Sequence, residues 1–451
     1  MKLALAASLA LWLGLSLVPR SRPAPLPDNA PATEFSAIRA IGHVRAIAQQ
    51  PHPIGSAEHD RVRDYIVSQL TSQGLAPHIE AGHAEFTRGR YHGAGDVQNI
   101  VARLAGTAGT RPLMLAAHYD SVARGPGAGD DGHGVGVLLE TLRALRAGPA
   151  LRNDVIFLIT DGEERGLLGA QVFMREDPWR FEPGVTLNFE ARGTSGSATM
   201  FETSTGNEWL IRGLQAAVPQ ADATSVAYEI YKRMPNDTDL TVFKGGGLAG
   251  MNFAFIGHPE YYHTAQDTVE HLDPMSVQEQ GRYALSLVRW FGNRDLRTHP
   301  SGDAVYFATA FTPLIVYPVR FATVLGIVAL LGALASAWRR PAAGVPLLLL
   351  AVLGMWVATV APGISYLIAW PVLGAVLATL PRTPNIAAMA LGAAPGFLLI
   401  VPLVSSLVVA LSWRGAAPIL AAAAVLMLIC LLPQLLFLMR TSAPAGVASA
   451  D

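Results

Sequence analysis

Short apolar runs that end on histidine or acid recur through the first 300 residues of this 451-residue chain. PLMLAAH (112–118), VTLNFE (185–190) and DVIFLIT (154–160, followed at once by DGEE) are the plainest. VQNIVARL (97–104) and GMNFAFI (250–256) share their character. Runs this rich in apolar side chains suit strands covered on both faces by helices. Helical spacing fills the intervals. Val62, Ile66 and Leu70 recur within 57–73, which stops at Gly74, and 133–147, 207–217 and 275–292 continue the alternation. The pattern predicts an α/β fold over residues 33–300, a three-layer α/β/α sandwich with a largely parallel central sheet. Ligands of such a sheet gather at the carboxyl ends of its strands, where the histidines and acids fall.

Near residue 300 the chemistry of the chain changes. Lys is absent after Lys244 and Glu after Glu279, and residues 301–451 are dominated by Ala, Leu, Val, Gly and Pro. Five spans of roughly membrane-crossing length are expected at 319–338, 345–362, 364–380, 386–411 and 416–438, making 301–451 an all-α transmembrane module. Within residues 1–20, the apolar run Leu3–Val18 follows Lys2 and has no small-x-small cleavage site before Arg20. It reads as an uncleaved signal anchor in preference to a cleaved signal peptide. Residues 21–32 (SRPAPLPDNAPA) read as a Pro-rich linker that lifts the following domain off the bilayer. Lys2, Arg339, Arg340, Arg382 and Arg440 fall on one side of the spans, and Arg20, Arg22 and Arg414 on the other. This bias predicts a multi-pass membrane protein with residues 33–300 on the extracytoplasmic side. Apart from Arg320 at a helix end the spans carry no ionisable residue, so the module reads as an anchor, not a transporter. A net charge of −1 gives no basis for nucleic-acid binding. The lone Cys430 cannot form an intrachain disulfide, and nothing in the chain specifies an oligomeric state.

Five stretches carry the chemistry: AAHYDS (116–121), GAGDDGHG (127–134), TDGEERGLLG (160–169), NFEARG (188–193) and YYHTAQDT (261–268). His118 ends its strand and reads as a metal ligand, with Asp120 as the carboxylate that orients its ring or as a strand-end turn former. Asp130 is placed to bridge two divalent ions, while Asp131 caps the following helix or supports the loop. Glu163 and Glu164 are consecutive, so their side chains diverge. One can bind metal while the other takes a proton from the attacking water, and Glu163 is assigned as base and Glu164 as ligand. Glu190 and His263 complete a set of two imidazoles and three carboxylates, a mixture that suits Zn²⁺ and also admits Mn²⁺ or Co²⁺. Tyr262 stands ready to stabilise an oxyanion or simply to pack, and Asp267 to cap a helix or support the site. His133 begins the helix after Asp130 and reads as a surface or supporting residue that could face the cleft.

These motifs (HxD, DDGxG, DGEExGLLG, an acidic strand end and YHTxxDT) resemble the M28 family of zinc metallopeptidases, over residues 50–295. The resemblance implies a zinc-exopeptidase-like fold with two zinc ions per chain. His118 and Glu190 would hold one ion, Glu164 and His263 the other, and Asp130 would bridge them. Glu163 would then be the general base, Asp120 the orienting group and Tyr262 the donor to the transition state, and a cis peptide is implied at Asp130–Asp131. Glu190 stands where many secreted members have Asp. Together with the apolar C-terminal third, this is more similar to the membrane-anchored branch that contains the endoplasmic-reticulum metallopeptidase and the vacuolar membrane protease. The expected function is a membrane-anchored di-zinc exopeptidase, an aminopeptidase first, with a peptide as substrate and the lipid bilayer as partner. Two alternatives are a one-zinc glutaminyl cyclase and a non-catalytic receptor or scaffold ectodomain.

Overall fold

The computed structural model describes residues 2–18, 20–339 and 341–379, with isolated positions between 398 and 431. It divides into two units, Arg20–Val316 and the pair of segments Met1–Pro19 and Tyr317–Asp451.

In the larger unit, eight strands form one sheet: β1 (His78–Arg88), β2 (Tyr91–Leu104), β3 (Leu113–His118), β4 (Val155–Thr160), β5 (Val185–Ala191), β6 (Thr199–Thr203), β7 (Asp222–Ala223) and β8 (Gly250–Phe255). Their order across the sheet is β1-β2-β4-β3-β5-β8-β6-β7. The central strands β4, β3, β5 and β8 are mutually parallel, whereas β1, β2 and β6 join antiparallel. The sheet is therefore mixed, with the predicted parallel arrangement at its centre. Each apolar run predicted as a strand forms one. The unforeseen β1 is polar at most positions because it lies on the sheet edge, pairing with β2 through the two-residue turn Gly89–Arg90. Gly89 enters that turn at φ +60°, a conformation that favours glycine.

Helices α2 (Ala37–Ile47), α3 (Ala57–Ser72), α4 (His133–Arg146), α5 (Leu168–Glu176), α6 (Glu208–Ala217), α7 (Ser225–Tyr231), α8 (Asp239–Gly245) and α9 (Pro274–Phe291) complete the unit; α1 (Lys2–Ser16) lies in the other. Local chemistry sets their ends. Ser56 accepts the His59 N–H at the start of α3, Glu58 and Asp60 favour its positive end, and Gly74 (φ +80°) follows it. Asp273 caps α9, with Pro274 in its first turn. Strand alternation sends Leu115, Phe157 and Leu187 to a core shared with Val44, Leu138 and Val288, from α2, α4 and α9. Met114, Ala116, Ile156 and Leu158 face Phe173, Leu240 and Phe243 of α5 and α8. These are the three predicted layers. Leu115→Ala, in the fully buried β3, is expected to destabilise this unit by about 2–5 kcal/mol, read as a lower urea midpoint.

Two expectations about the ends of this unit are corrected. Residues 21–32 run without helix or strand and turn at 28–30, and they do not stand off as a linker. Arg22 Nη1 lies 2.6 Å from Asp273 Oδ2 and donates to Ser276 Oγ and the Gly196 carbonyl, and the Leu26 N–H donates to Gln278 Oε1 at 2.8 Å. The segment is a strap across α9, because its charged and backbone groups find partners there. At the other end, the expected all-α region begins with strands β9 (Ala304–Thr309) and β10 (Thr312–Pro318). The Ala304 N–H donates to Asn207 Oδ1 and the Leu314 N–H to the Pro219 carbonyl, so the unit closes at Val316, not near 300.

In the smaller unit, α10 (Val319–Arg339), α11 (Pro341–Val360) and α12 (Tyr366–Thr379) cover the first three expected spans. Among the described residues, α10 alone is long and apolar enough to cross a membrane, the apolar stretches Gly344–Val360 and Tyr366–Leu377 being shorter. Ala329, Ala333, Leu347, Ala351 and Val372 pack together, while Leu331, Leu349, Trp356 and Trp338 (90% exposed) face outward. Apart from isolated positions, the expected spans 386–411 and 416–438 lie outside the described residues, as do Arg340, Arg382, Arg414, Arg440 and Cys430.

Candidate metal centre

Because β4, β3, β5 and β8 run parallel, their carboxyl ends open on one edge of the sheet. His118 is the last residue of β3, Glu163 and Glu164 form a turn just after β4, and Glu190 is the penultimate residue of β5. Asp130 lies in the tight Gly-rich turn Ala128–Gly132 before α4, and His263 in the loop beyond β8, at φ +59°. The peptide Asp130–Asp131 is cis, as the resemblance implied.

Two triplets of donor atoms result, and they share Asp130. His118, Asp130 and Glu190 form one and Asp130, Glu164 and His263 the other, with the atoms of each within 4.8 Å of one another. His118 Nε2 lies 3.2 Å from Asp130 Oδ1 and 3.7 Å from Glu190 Oε2. His263 Nε2 lies 3.0 Å from both Asp130 Oδ2 and Glu164 Oε2. Asp130 thus turns one oxygen toward each imidazole. All five predicted ligands are brought together, and Glu163 belongs to neither triplet.

The electrostatics are those of a pocket short of positive charge. Burial pushes Glu164 up to about 8, aided by the negative charge of Asp130. Glu163 and Glu190 are also driven well above the usual carboxylate range, first by burial, with His118 opposing. Asp130 goes the other way: burial alone would raise it, but its bonds to the two imidazoles hold it below that range. Burial would lower His263, yet Asp130 and Glu164 raise it to about 10. Glu164 Oε1 is buried without a hydrogen-bond partner among the described residues. Four crowded carboxylates, an orphaned oxygen and two imidazole nitrogens aimed at a shared aspartate fit a pair of divalent ions, and the donor set suits zinc.

A surrounding layer of bonds fixes these donors. The Asp120 carboxylate accepts the N–H groups of Glu163 at 3.0 Å and Glu164 at 3.3 Å, while its carbonyl oxygen lies 3.0 Å from His118 Nδ1. The carboxylate thus holds the turn, while the hydrogen bond to the His118 ring comes from the Asp120 backbone and not from its carboxylate, which lies 3.5 Å away. Asp131 accepts from the Gly134 N–H at 3.2 Å and so supports the start of α4. Asp267 caps no helix. It accepts the N–H groups of Gly129 at 2.6 Å and Asp130 at 3.1 Å, gripping the loop that carries the shared aspartate. Gly129 is required there, since a Cβ would come within 2.5 Å of the Gly193 carbonyl oxygen. His133 does not face the cleft. It is buried between the Gly129 carbonyl and Gln280 Oε1, and burial pushes it down to about 4. Tyr262 stacks on His263, with ring centres 3.8 Å apart, and burial raises its hydroxyl pKa, so the group stays protonated.

Two features escape the sequence reading. Asn188 Nδ2 donates to Glu190 Oε1 at 3.2 Å and to Asn252 Oδ1 at 3.1 Å. Asn252 Nδ2 in turn donates to Glu202, which Lys244 neutralises. Glu202 can only accept, so each amide in the chain is oriented and an N–H is presented to Glu190. Asp239, at the start of α8, accepts from Thr160 Oγ1 beneath the Glu163 turn, and burial pushes it up to about 6. The available signal was the spacing Thr186, Asn188, Glu190, Arg192, a polar stripe at period two inside a run that reads as apolar. Asn188→Leu is expected to weaken zinc binding by about 10–100-fold, as loss of a ligand's supporting bond commonly does, measured by chelator competition. Unchanged affinity would show that Glu190 needs no such support.

Residues 99–288 match peptidase family M28. That segment belongs to the M28 family. It runs from within β2 to within α9 and contains both donor triplets. The chain is 30% identical over 317 residues to "Endoplasmic reticulum metallopeptidase 1" of Rattus norvegicus, covering 65% of this chain and 35% of that protein. It is 33% identical over 251 residues to "Vacuolar membrane protease" of Candida albicans (strain WO-1), covering 54% and 29%. The chain therefore spans about a third of the length of these curated relatives. Among solved structures it is similar in fold to the aminopeptidase from Aneurinibacillus sp. strain AM-1, with a TM-score of 0.51 at 14% identity, covering 60% of this chain and 97% of that one.

Proposed function

We propose that this chain is a membrane-anchored exopeptidase with two zinc ions, acting first as an aminopeptidase, with Glu163 as general base. The reading is carried by one observation: two donor triplets share Asp130, and a further carboxylate, Glu163, stands beside them without joining either. Two zinc ions held there would polarise the scissile carbonyl and acidify the attacking water. His118 and Glu190 would hold one ion, Glu164 and His263 the other, and Asp130 both. Glu163 takes the water's proton and returns it to the departing amine, and Asp120 holds the Glu163 turn in place for that transfer. The Tyr262 hydroxyl donates to the oxygen on which negative charge develops. A one-zinc cyclase would leave one triplet unused, and a non-catalytic ectodomain would use neither.

The smaller unit supplies the anchor. Its outward-facing Leu331, Leu349, Trp356 and Trp338 suit lipid contact and α10 is of spanning length, and the bias of basic residues in the sequence supports an extracytoplasmic side for the peptidase unit. The name of one relative, "Vacuolar membrane protease", supports a membrane setting.

A peptide library incubated with the zinc-loaded chain and read by mass spectrometry tests the proposal. Trimming from the amino terminus, abolished by chelator, is expected. Trimming from the carboxyl terminus alone would exclude the aminopeptidase activity, and no cleavage by a chain holding two zinc ions would exclude the peptidase.

A further inference from the structure

The most unusual charge near the triplets is a positive one. Arg192 directly follows β5, and its N–H donates to the Phe255 carbonyl at 3.0 Å, so strand pairing continues through it. Strand alternation then puts Arg192 on the same face as Glu190, roughly 7 Å further along. Its guanidinium carbon lies 5.3 Å from the centre of the Tyr262 ring, which itself stacks on His263 at 3.8 Å. Arg192, Tyr262 and His263 thus form a layered path to the donor atoms. The cleft supplies acids in number, yet among the described residues none forms an ion pair with Arg192. Arg233, by contrast, is spent on Glu229 at 2.9 Å.

We infer that Arg192 receives the free α-carboxylate of the substrate, so that this site acts on short peptides cut within about two residues of their carboxyl terminus. The inference rests on the peptidase reading above and deepens it. A guanidinium held against an aromatic face keeps its N–H edge available, and its planar fork matches a carboxylate with two parallel hydrogen bonds. Beside the carboxylates of Asp130, Glu164 and Glu190, a guanidinium with no ion-pair partner among the described residues distinguishes the acidic end of a peptide from every other part of it. An extended residue spans at most about 3.6 Å, so a carboxylate one or two residues beyond the scissile carbonyl matches the separation of Arg192 from Glu190. An internal bond of a long chain offers no such group.

The test compares a mixed dipeptide library with its carboxyl-amidated twin, using the zinc-loaded full-length chain. The free acids are expected to have a kcat/KM about 10–100-fold higher, expressed mainly in KM, because only they make the paired charged hydrogen bonds. Arg192→Gln should abolish the preference by slowing the acids alone, and Arg192→Lys should restore part of it. Titration of Ala-Ala and its amide into Glu163→Gln repeats the comparison without turnover, and tighter binding of the acid should disappear in the double variant. Equal slowing of acids and amides by Arg192→Gln, or equal cleavage of both by the parent, overturns the assignment and leaves the peptidase standing. Cleavage of neither these libraries nor any longer peptide by the zinc-loaded parent overturns both.

Discussion

Glu163→Gln is expected to retain two zinc ions and to lose on the order of 10²–10⁴-fold in kcat. The substitution preserves shape and removes only the ability to accept a proton. Retention of metal follows from position, because Glu163 contributes no atom to either donor triplet. The turn should survive as well, since the bond from the Glu163 N–H to Asp120 belongs to the backbone. Burial raises the pKa of the Glu163 carboxyl, which strengthens it as a base for the proton transfer proposed for it. Metal content by elemental analysis, beside turnover of whichever peptides the library identifies, reads the result. Full activity removes Glu163 from the mechanism, and loss of a zinc ion makes it a ligand.

Asp130→Ala should have the larger effect on metal. Loss of a bond that merely supports a ligand commonly weakens binding by about 10–100-fold, and removal of a ligand common to both ions should exceed that for each. Asp130 directs Oδ1 to His118 and Oδ2 to His263, so no remaining carboxylate spans the two imidazoles. His118 keeps Glu190 nearby and His263 keeps Glu164, so the apo fold should persist with an unchanged far-ultraviolet spectrum. The expected result is near-zero zinc at a concentration that saturates the parent. One ion retained at parental affinity would show that the two positions are independent.

Legibility of the site followed from where its residues sit. His118, Glu164 and Glu190 end or follow strands whose apolar runs are long enough to recognise, and strand ends converge in a parallel sheet. Asn188 and Asn252 were not legible, because inside a buried strand a polar residue declares its role only through its cross-strand partner. The same limit hid β1 and β6, which lie toward the sheet's flanks and lack continuous apolar runs. The Pro-rich segment was misread for a related reason: proline dictates extension, but not whether an extended chain stands free. The Arg22–Asp273 pair joins residues 251 positions apart, and no local rule reveals it.

The chain's own order of residues determined the alternation of strand and helix, the apolar C-terminal third and the set of donors, because periodicity and residue chemistry are local properties. Only the tertiary structure decided that Asp130 faces both imidazoles, that Asp267 grips its loop, that His133 is turned inward, and that Arg192 lies against Tyr262 with no acidic partner among the described residues. Those relations depend on distances between segments up to 147 residues apart, which are set by how the sheet orders its strands.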